Sequence, residues 1–395
     1  MREFQYCVPT KILFGPKTEE QTGQAALAEG ARRVLVLYGG GSAVRSGLLG
    51  RVQMSLAQAG VVFSTKGGVR PNPLMGFAED TVREYRGKDI DLVLAVGGGS
   101  VMDTAKAVAV GLASSAQEMR SVFRGQSALN TALGVGAVVT MAASGSETSP
   151  TAVLSVGETH EKLICTSPLL VPRFAILNPE LTYTTPPLQT ACGAADILMH
   201  TLERYCADWG GNELTDTLAE ALLRTAVHNG RLCMEKPDNY NARSELMWCG
   251  SLSHNGLTGL GRNNEFPVHR LGHELASRYD IPHGMSLTIL WPHWARAVRE
   301  RIAPRLARLG RAVFGVETAD DHAAALDCIN AFTLFFRALD LPVSFAQAPM
   351  GVERDEVLRT FAANCTDNGA HPLGELCPLD FDGALAVYRA ANSAG

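Results

Sequence analysis

The chain has no Cys-x-x-Cys pair, no basic run and no long apolar stretch. Each absence removes a class of function. The nine cysteines (7, 165, 192, 206, 233, 249, 328, 365 and 377) are scattered and odd in number. That argues against a disulfide framework and a cysteine-based zinc site, and for reduced thiols in a cytoplasm. Net charge is −5, so no field draws the protein to nucleic acid or to an anionic membrane. Val93-Leu94-Ala95-Val96 runs at once into glycines, far short of the roughly eighteen apolar residues a membrane helix needs. The first residues, Met1-Arg2-Glu3-Phe4-Gln5-Tyr6-Cys7, hold no apolar signal-peptide core, so the expected location is cytoplasmic.

What is present fits a globular protein rather than a disordered chain. The chain has 395 residues, which at roughly 100–200 residues per domain predicts two domains. Apolar residues make up 46% and charged residues 19%, enough for a sizeable core.

Residues 33–38 are a continuous apolar run ending in Gly39-Gly40-Gly41-Ser42, and residues 91–96 are another, ending in Gly97-Gly98-Gly99-Ser100. Runs of this kind suit strands buried on both faces of a parallel sheet. Further strands are expected at 61–63, 131–139, 151–155 and 174–177, with helices at 44–59, 79–88 and 101–112. The alternation predicts an α/β layer with a mainly parallel sheet. The texture changes near Pro186-Pro187. Beyond it helical periodicity dominates, at 187–207, 213–235, 240–257, 267–279, 285–309, 319–338 and 354–365. The division expected is therefore a nucleotide-binding α/β domain over 1–185 and an all-α domain over 186–395.

Gly97-Gly98-Gly99-Ser100 lies between a strand and a helix, where glycines let backbone approach a phosphate and a helix N-terminus offers free N–H groups. A pyrophosphate is the guest this favours; a ligand-free tight turn is the alternative. It matches neither the Gly-x-Gly-x-x-Gly fingerprint nor a Walker loop. The loop after the first strand has no Asp or Glu that would favour a free ribose 2′-hydroxyl, while Ser42 and Arg45 could donate to a 2′-phosphate. Residues 140–147 are small and hydroxyl-rich and could line a nicotinamide ribose, or be a structural loop.

The histidines weigh more. Asp196 and His200 are four apart in a helical stretch, and so are His269 and His273; His283 sits between Pro282 and Gly284, in a loop or at a helix start. Residues at i and i+4 share one helix face. Imidazoles with a carboxylate suit Zn²⁺ or Fe²⁺ rather than Mg²⁺ or Ca²⁺. One acid and four histidines compete for about four positions, and a catalytic ion keeps one open. One histidine therefore stands aside as a proton carrier.

Together these residues resemble the iron-containing, metal-dependent (group III) alcohol dehydrogenase family, over essentially the whole chain. The resemblance rests on Pro9-Thr10-Lys11-Ile12-Leu13-Phe14-Gly15, Pro71-Asn72-Pro73, Gly97-Gly98-Gly99-Ser100-x-x-Asp103-x-x-Lys106, Ser144-Gly145-Ser146-Glu147, Asp196-x-x-x-His200, and His269-x-x-x-His273 to Pro282-His283-Gly284. The branch most similar is that of NADPH-dependent aldehyde reductases and butanol dehydrogenases. The resemblance implies a dehydroquinate synthase-like architecture, an α/β dinucleotide-binding domain followed by an all-α metal-binding domain. It implies Asp196, His200, His269 and His283 as ligands of one Fe²⁺ or Zn²⁺, and His273 as the proton carrier beside the nicotinamide. It implies Gly98, Gly99 and Ser100 at the pyrophosphate, Asp103 near the nicotinamide end, and Thr140, Ser144 and Lys162 on the cofactor. Gly39, Gly40 and Ser42, with Asn72 and Leu181, complete that set. Gly40 stands where NAD-preferring relatives often carry aspartate, so NADP is expected, with NAD as the alternative.

The implied reaction is hydride transfer between NADP(H) and a primary alcohol/aldehyde, by a homodimer or larger homo-oligomer. A lyase resembling dehydroquinate synthase, using the cofactor transiently, and a non-catalytic nucleotide- or metal-binding protein are the rivals. Two departures stand out. Arg262-Asn263-Asn264-Glu265-Phe266 replaces a stretch that usually carries Asp-Trp, and Ser149 replaces an asparagine. Arg262 reads as a surface arginine in a loop, or as a residue facing an anionic substrate.

Overall fold

The computed structural model describes residues 1–157, 161–207, 211–263 and 265–393. Asn264, in the departing stretch, lies outside them. The chain forms two compact units, Cys7–Thr185 and Pro186–Gly395, the second including Met1–Tyr6.

Among the described residues the first unit contains eight strands: β1 (Lys11–Phe14), β2 (Arg33–Tyr38), β3 (Val62–Lys66), β4 (Leu92–Gly97), β5 (Gly134–Val139), β6 (Thr151–Ser155), β7 (Lys162–Thr166) and β8 (Phe174–Leu177). Six form one sheet in the order β1-β8-β5-β4-β2-β3, and every pairing in it is parallel. Its helices are α1 (Thr22–Ala28), α2 (Ser42–Arg45), α3 (Leu48–Gln58), α4 (Met75–Tyr85), α5 (Gly99–Ala113) and α6 (Ala116–Phe123). β4 is buried along its whole length, which is why it reads as an uninterrupted apolar run. One face of the sheet packs Val34, Val36, Leu94, Val96 and Ile176 against Ala25, Leu48, Val52 and Leu56 of α1 and α3.

Right-handed crossovers place successive connections on opposite faces when the chain reverses direction across a sheet. The chain moves outward from β2 to β3, then back past β2 to β4. The reversal makes the β2–β4 pair the topological switch point, where open α/β sheets bind their ligands beyond the strand ends. Tyr38 pairs with Val96 in that ladder, so the two glycine loops leave the sheet side by side.

The second unit is helical: α7 (Pro187–Cys206), α8 (Glu213–Glu235), α9 (Tyr240–Ser253), α10 (Pro267–Tyr279), α11 (His283–Phe314), α12 (Asp321–Ala338), α13 (Asp355–Cys365) and α14 (Phe381–Ser393). α7 is buried at every position from Thr190 to Cys206, the mark of a helix surrounded by others. α11 carries Pro304 in its interior and departs from helical geometry at Ile302. A proline lacks the N–H and clashes with the preceding turn, so a break there is expected.

Several local readings change. The helix expected over 44–59 is two, because Gly47 takes a left-handed φ of 71° between them. β6 and β7 form a separate antiparallel ladder rather than joining the main sheet. β1, β7, α1, α6 and α14 were not anticipated. No helix of the described residues is long and apolar enough to cross a membrane.

Candidate active site

In the first unit the structure gathers most of the expected cofactor residues around the switch point. Gly98 caps α5 with no side-chain hydrogen bond, and Gly99 and Ser100 open that helix. A side chain at Gly99 would meet the Ser144 hydroxyl at 2.5 Å, and one at Gly98 would meet Met141 Cβ at 3.7 Å. Ser144 Oγ is buried without a hydrogen-bond partner. Thr140 N donates to Gly97 O at 3.1 Å, which ties the hydroxyl loop to the end of β4. A Cβ added at Gly39 would lie 3.8 Å from Val101 Cγ2 on α5, so the Gly39, Gly40 and Ser42 loop borders the same turn. A bare helix N-terminus facing an unpartnered buried hydroxyl fits a phosphate group.

Asn72 takes a left-handed φ of 50° in the proline turn. Its side-chain oxygen accepts from Lys162 Nζ at 3.0 Å, which also donates to Ser155 Oγ at 2.9 Å. Leu181 stands apart from this group, packed on the α1/α3 face of the sheet. Asp103 accepts from Ser146 Oγ at 2.7 Å and Val153 N at 3.1 Å; burial raises its pKa against those donors and Lys106. Lys106, one turn on from Asp103 in α5, is fully buried. Its ammonium donates to Ser146 O and Oγ, Ser149 O and Thr151 O at 2.8–2.9 Å. Burial pulls its pKa down to about 8, against the pull of Asp103 and Glu147. Lys106 thus holds the segment that follows Ser144.

In the second unit Asp196 and His200 project from one face of α7, and α10 brings His269 onto them. One ligand atom from each lies within 4.8 Å of the others. Asp196 Oδ1 is 3.4 Å from His200 Nδ1, 3.7 Å from His269 Nε2 and 3.9 Å from His283 Nε2. His200 Nδ1 donates to Asp196 O at 3.0 Å, leaving Nε2 with its lone pair. His283 is the first residue of α11, after Pro282. Its place depends on Gly284, where a Cβ would sit 2.1 Å from the Cys192 carbonyl oxygen of α7. Only glycine lets the α11 start come this close to α7. The His273 ring is 5.5 Å from that of His283, within the same histidine group.

Two buried atoms decide what this cluster can hold. Asp196 Oδ1 and His269 Nε2 face each other and neither has a hydrogen-bond partner. Leaving such groups unmade costs about 1–3 kcal/mol each, more if charged. A divalent ion accepted by borderline nitrogen and oxygen donors resolves both. Burial, reinforced by the neighbouring His254, His269 and Arg204, holds His200 well below the usual histidine range, keeping it neutral as a ligand must be. Burial alone would lower His269 too, but Glu203 and Asp196 outweigh it and raise it to about 9, so an ion bound there would displace a proton from the ring.

Glu203 was missed in the sequence. Its buried carboxylate pairs with His269 Nδ1 and accepts from Val268 N at 2.5 Å. The signal was its place at i+7 from Asp196 and i+3 from His200, one helix face. His254 was missed as well; its ring lies 4.0 Å from that of His200. Arg204, also buried, donates to His200 O at 2.9 Å and Ser253 O at 2.5 Å. Arg262 is corrected. It is neither on the surface nor free for a substrate, because its fully buried guanidinium pairs with Asp216, which Arg305 also holds at 2.6 Å. A charge in a loop can be taken inside when a buried counter-charge meets it.

Comparison with known proteins agrees with this architecture. The model of iron-containing alcohol dehydrogenases matches residues 9–179, and that of the family's C-terminal region matches residues 190–391. The chain belongs to the iron-containing alcohol dehydrogenase family. It is an oxidoreductase of the hydride-transferring kind. It is 34% identical over 391 residues to NADH-dependent butanol dehydrogenase A of Clostridium acetobutylicum, covering 98% of this chain and 99% of that one. It is 31% identical to the NADPH-dependent aldehyde reductase YqhD of Escherichia coli, covering 99% and 100%. The crystal structure of a Thermotoga maritima NADH-dependent butanol dehydrogenase A superposes with a TM-score of 0.94, at 32% identity, over 100% of this chain and 99% of that one.

Proposed function

We propose that this protein interconverts primary alcohols and aldehydes with NADP(H), using one Fe²⁺ or Zn²⁺ held by Asp196, His200, His269 and His283. The observation that carries the reading is the pair of unpartnered buried atoms, Asp196 Oδ1 and His269 Nε2, 3.7 Å apart inside a histidine cluster. When bound, such an ion supplies Lewis acidity to a carbonyl or alcohol oxygen, and the nicotinamide supplies the hydride. The remaining work belongs to the chain. Gly98, Gly99 and Ser100 present helix N–H groups to the dinucleotide phosphates, and Ser144 offers its hydroxyl beside them. Asn72 and Lys162 fix each other, and the ammonium is assigned to the cofactor. His273 carries the proton at its imidazole.

The NADP preference is supported by the loop after β2. Residues 39–42 carry no acid, and Arg45 Nη1 lies 3.2 Å from where a Gly41 side chain would begin. A guanidinium there suits a 2′-phosphate, and a carboxylate that would select the free hydroxyl is missing. The relatives named above include both NADH- and NADPH-dependent enzymes, so the preference belongs to this loop. Nine free cysteines support a reducing cytoplasm, and family resemblance supports a homodimer or larger assembly.

The test is an NADPH absorbance trace with a panel of short aldehydes, repeated with NADH. Net NADPH oxidation with a kcat/KM preference over NADH is expected. A cofactor that shows no net change while substrate is consumed would mark the lyase reading instead. Binding of NADPH with no turnover across the panel would mark a non-catalytic protein.

A further inference from the structure

We infer that Glu203 is a positioning residue for the metal centre, fixing which nitrogen of His269 faces the ion. The inference rests on the metal-dependent reading above. α10 begins with Pro267, which has no N–H, and its N-cap Phe266 offers no side-chain acceptor. The first orphan donors of the helix are therefore Val268 N and His269 N. Glu203 reaches across from α7 and takes both on one oxygen, at 2.5 and 3.3 Å. Its other oxygen pairs with His269 Nδ1. The side chain is wholly excluded from solvent.

The consequence lies at the far side of the ring. A carboxylate can only accept, so Nδ1 keeps its proton, and Nε2 is the nitrogen that gives its proton up and offers a lone pair to an ion. Nε2 is the buried, unpartnered atom aimed at Asp196 Oδ1. An acid behind a ligating imidazole also raises its basicity and locks its orientation; losing such a partner typically weakens metal binding by about 10–100-fold. One residue thus caps the helix that carries the ligand and sets the ligand's tautomer.

Glu203→Gln separates those two roles. The two backbone donors require the amide oxygen on their side, so the amide NH₂ turns toward Nδ1. Nδ1 must then accept, and the proton moves to Nε2, where the ion should bind. The helix cap survives but the tautomer is inverted. Zn²⁺ affinity of the full-length protein, measured by competition with a chromophoric chelator, is expected to fall about 10–100-fold in E203Q. Circular dichroism melting of the apo-protein should change little, and Glu203→Asp should fall between parent and E203Q in affinity. The absorption bands of a Co²⁺-loaded sample should weaken or shift in E203Q. Parental Zn²⁺ affinity and an unchanged Co²⁺ spectrum in a folded E203Q would overturn the role. If E203Q does not fold, E203D decides, and parental Zn²⁺ affinity there overturns it. A parent protein that binds no Zn²⁺ and no Fe²⁺ would instead sink the metal-dependent function itself.

Discussion

Replacing Gly284 by alanine tests how the fold builds the histidine cluster. The added Cβ would lie 2.1 Å from Cys192 O, 2.7 Å from Cys192 C and 2.8 Å from Cys192 Cα. All three are backbone atoms of a helix buried on every side, so no flexible side chain can yield. Ordinary carbon contacts are roughly 3.5–4.0 Å, so α11 and α7 must separate by roughly 1 Å or more. Overpacking of this kind costs about 1–3 kcal/mol, and a rigid backbone partner puts G284A at the upper end. For a unit of this size each kcal/mol lowers the melting temperature by about 2–4 °C. His283 precedes the substituted residue and moves with it, away from Asp196 Oδ1. A displacement near 1 Å at a reacting centre can cost about 100-fold in rate. The assay pairs thermal melting with metal content and aldehyde reduction. Gly50→Ala is the control: Gly50 is exposed within α3 and a Cβ there meets nothing, so it should gain about 0.5–1 kcal/mol. Parental melting, metal content and turnover in G284A would refute the claim that this close approach sets the site.

Two further outcomes follow from charge pairing. Asp216→Ala leaves the buried guanidiniums of Arg262 and Arg305 without their shared acid, and should destabilise by about 3–5 kcal/mol in urea unfolding; Arg262→Met should cost less, since Arg305 still pairs with Asp216 at 2.6 and 2.8 Å. Arg262→Met should leave aldehyde KM within a few-fold, whereas a substrate-facing arginine would raise it sharply. Asp355 of α13 bonds Arg389 of α14 and Arg359, and these hold its carboxyl down at about 2. A depressed acid contributes stability above its unfolded pKa of about 3.9 that is lost as pH falls through 2. The melting difference between parent and Asp355→Asn should therefore be constant above pH 5 and shrink toward pH 2; a difference independent of pH would contradict it.

The parts of this fold that were legible in the sequence are those where burial imposes one pattern. β2 and β4 lie inside a parallel sheet, so from Val34 and from Leu92 onward they are apolar up to the glycines that end them. β1 and β7 went unread because neither has that signature. β1 is an edge strand exposed at Lys11 and Phe14, and β7 alternates buried and exposed residues in a two-stranded ladder. Among the chemical residues, Asp196, His200 and His269 were visible because histidine is scarce and helix spacing aligns it. Glu203 was not, since an acid at i+7 on a helix is ordinarily solvated, and only the docking of α10 buries it. Arg262 was misread for the same reason in reverse. Its counter-charge, Asp216, lies 46 residues upstream, and no local pattern announces a pairing at that range.

The central claim is that the Asp196–His200–His269–His283 cluster holds the ion on which turnover depends. Elemental analysis of anaerobically purified parent and His283→Ala, with NADPH-dependent aldehyde reduction assayed on the same samples, tests it most directly. The parent should carry iron or zinc and reduce aldehydes, and His283→Ala should lose metal and turnover together. Full activity in a metal-free His283→Ala protein would contradict the account.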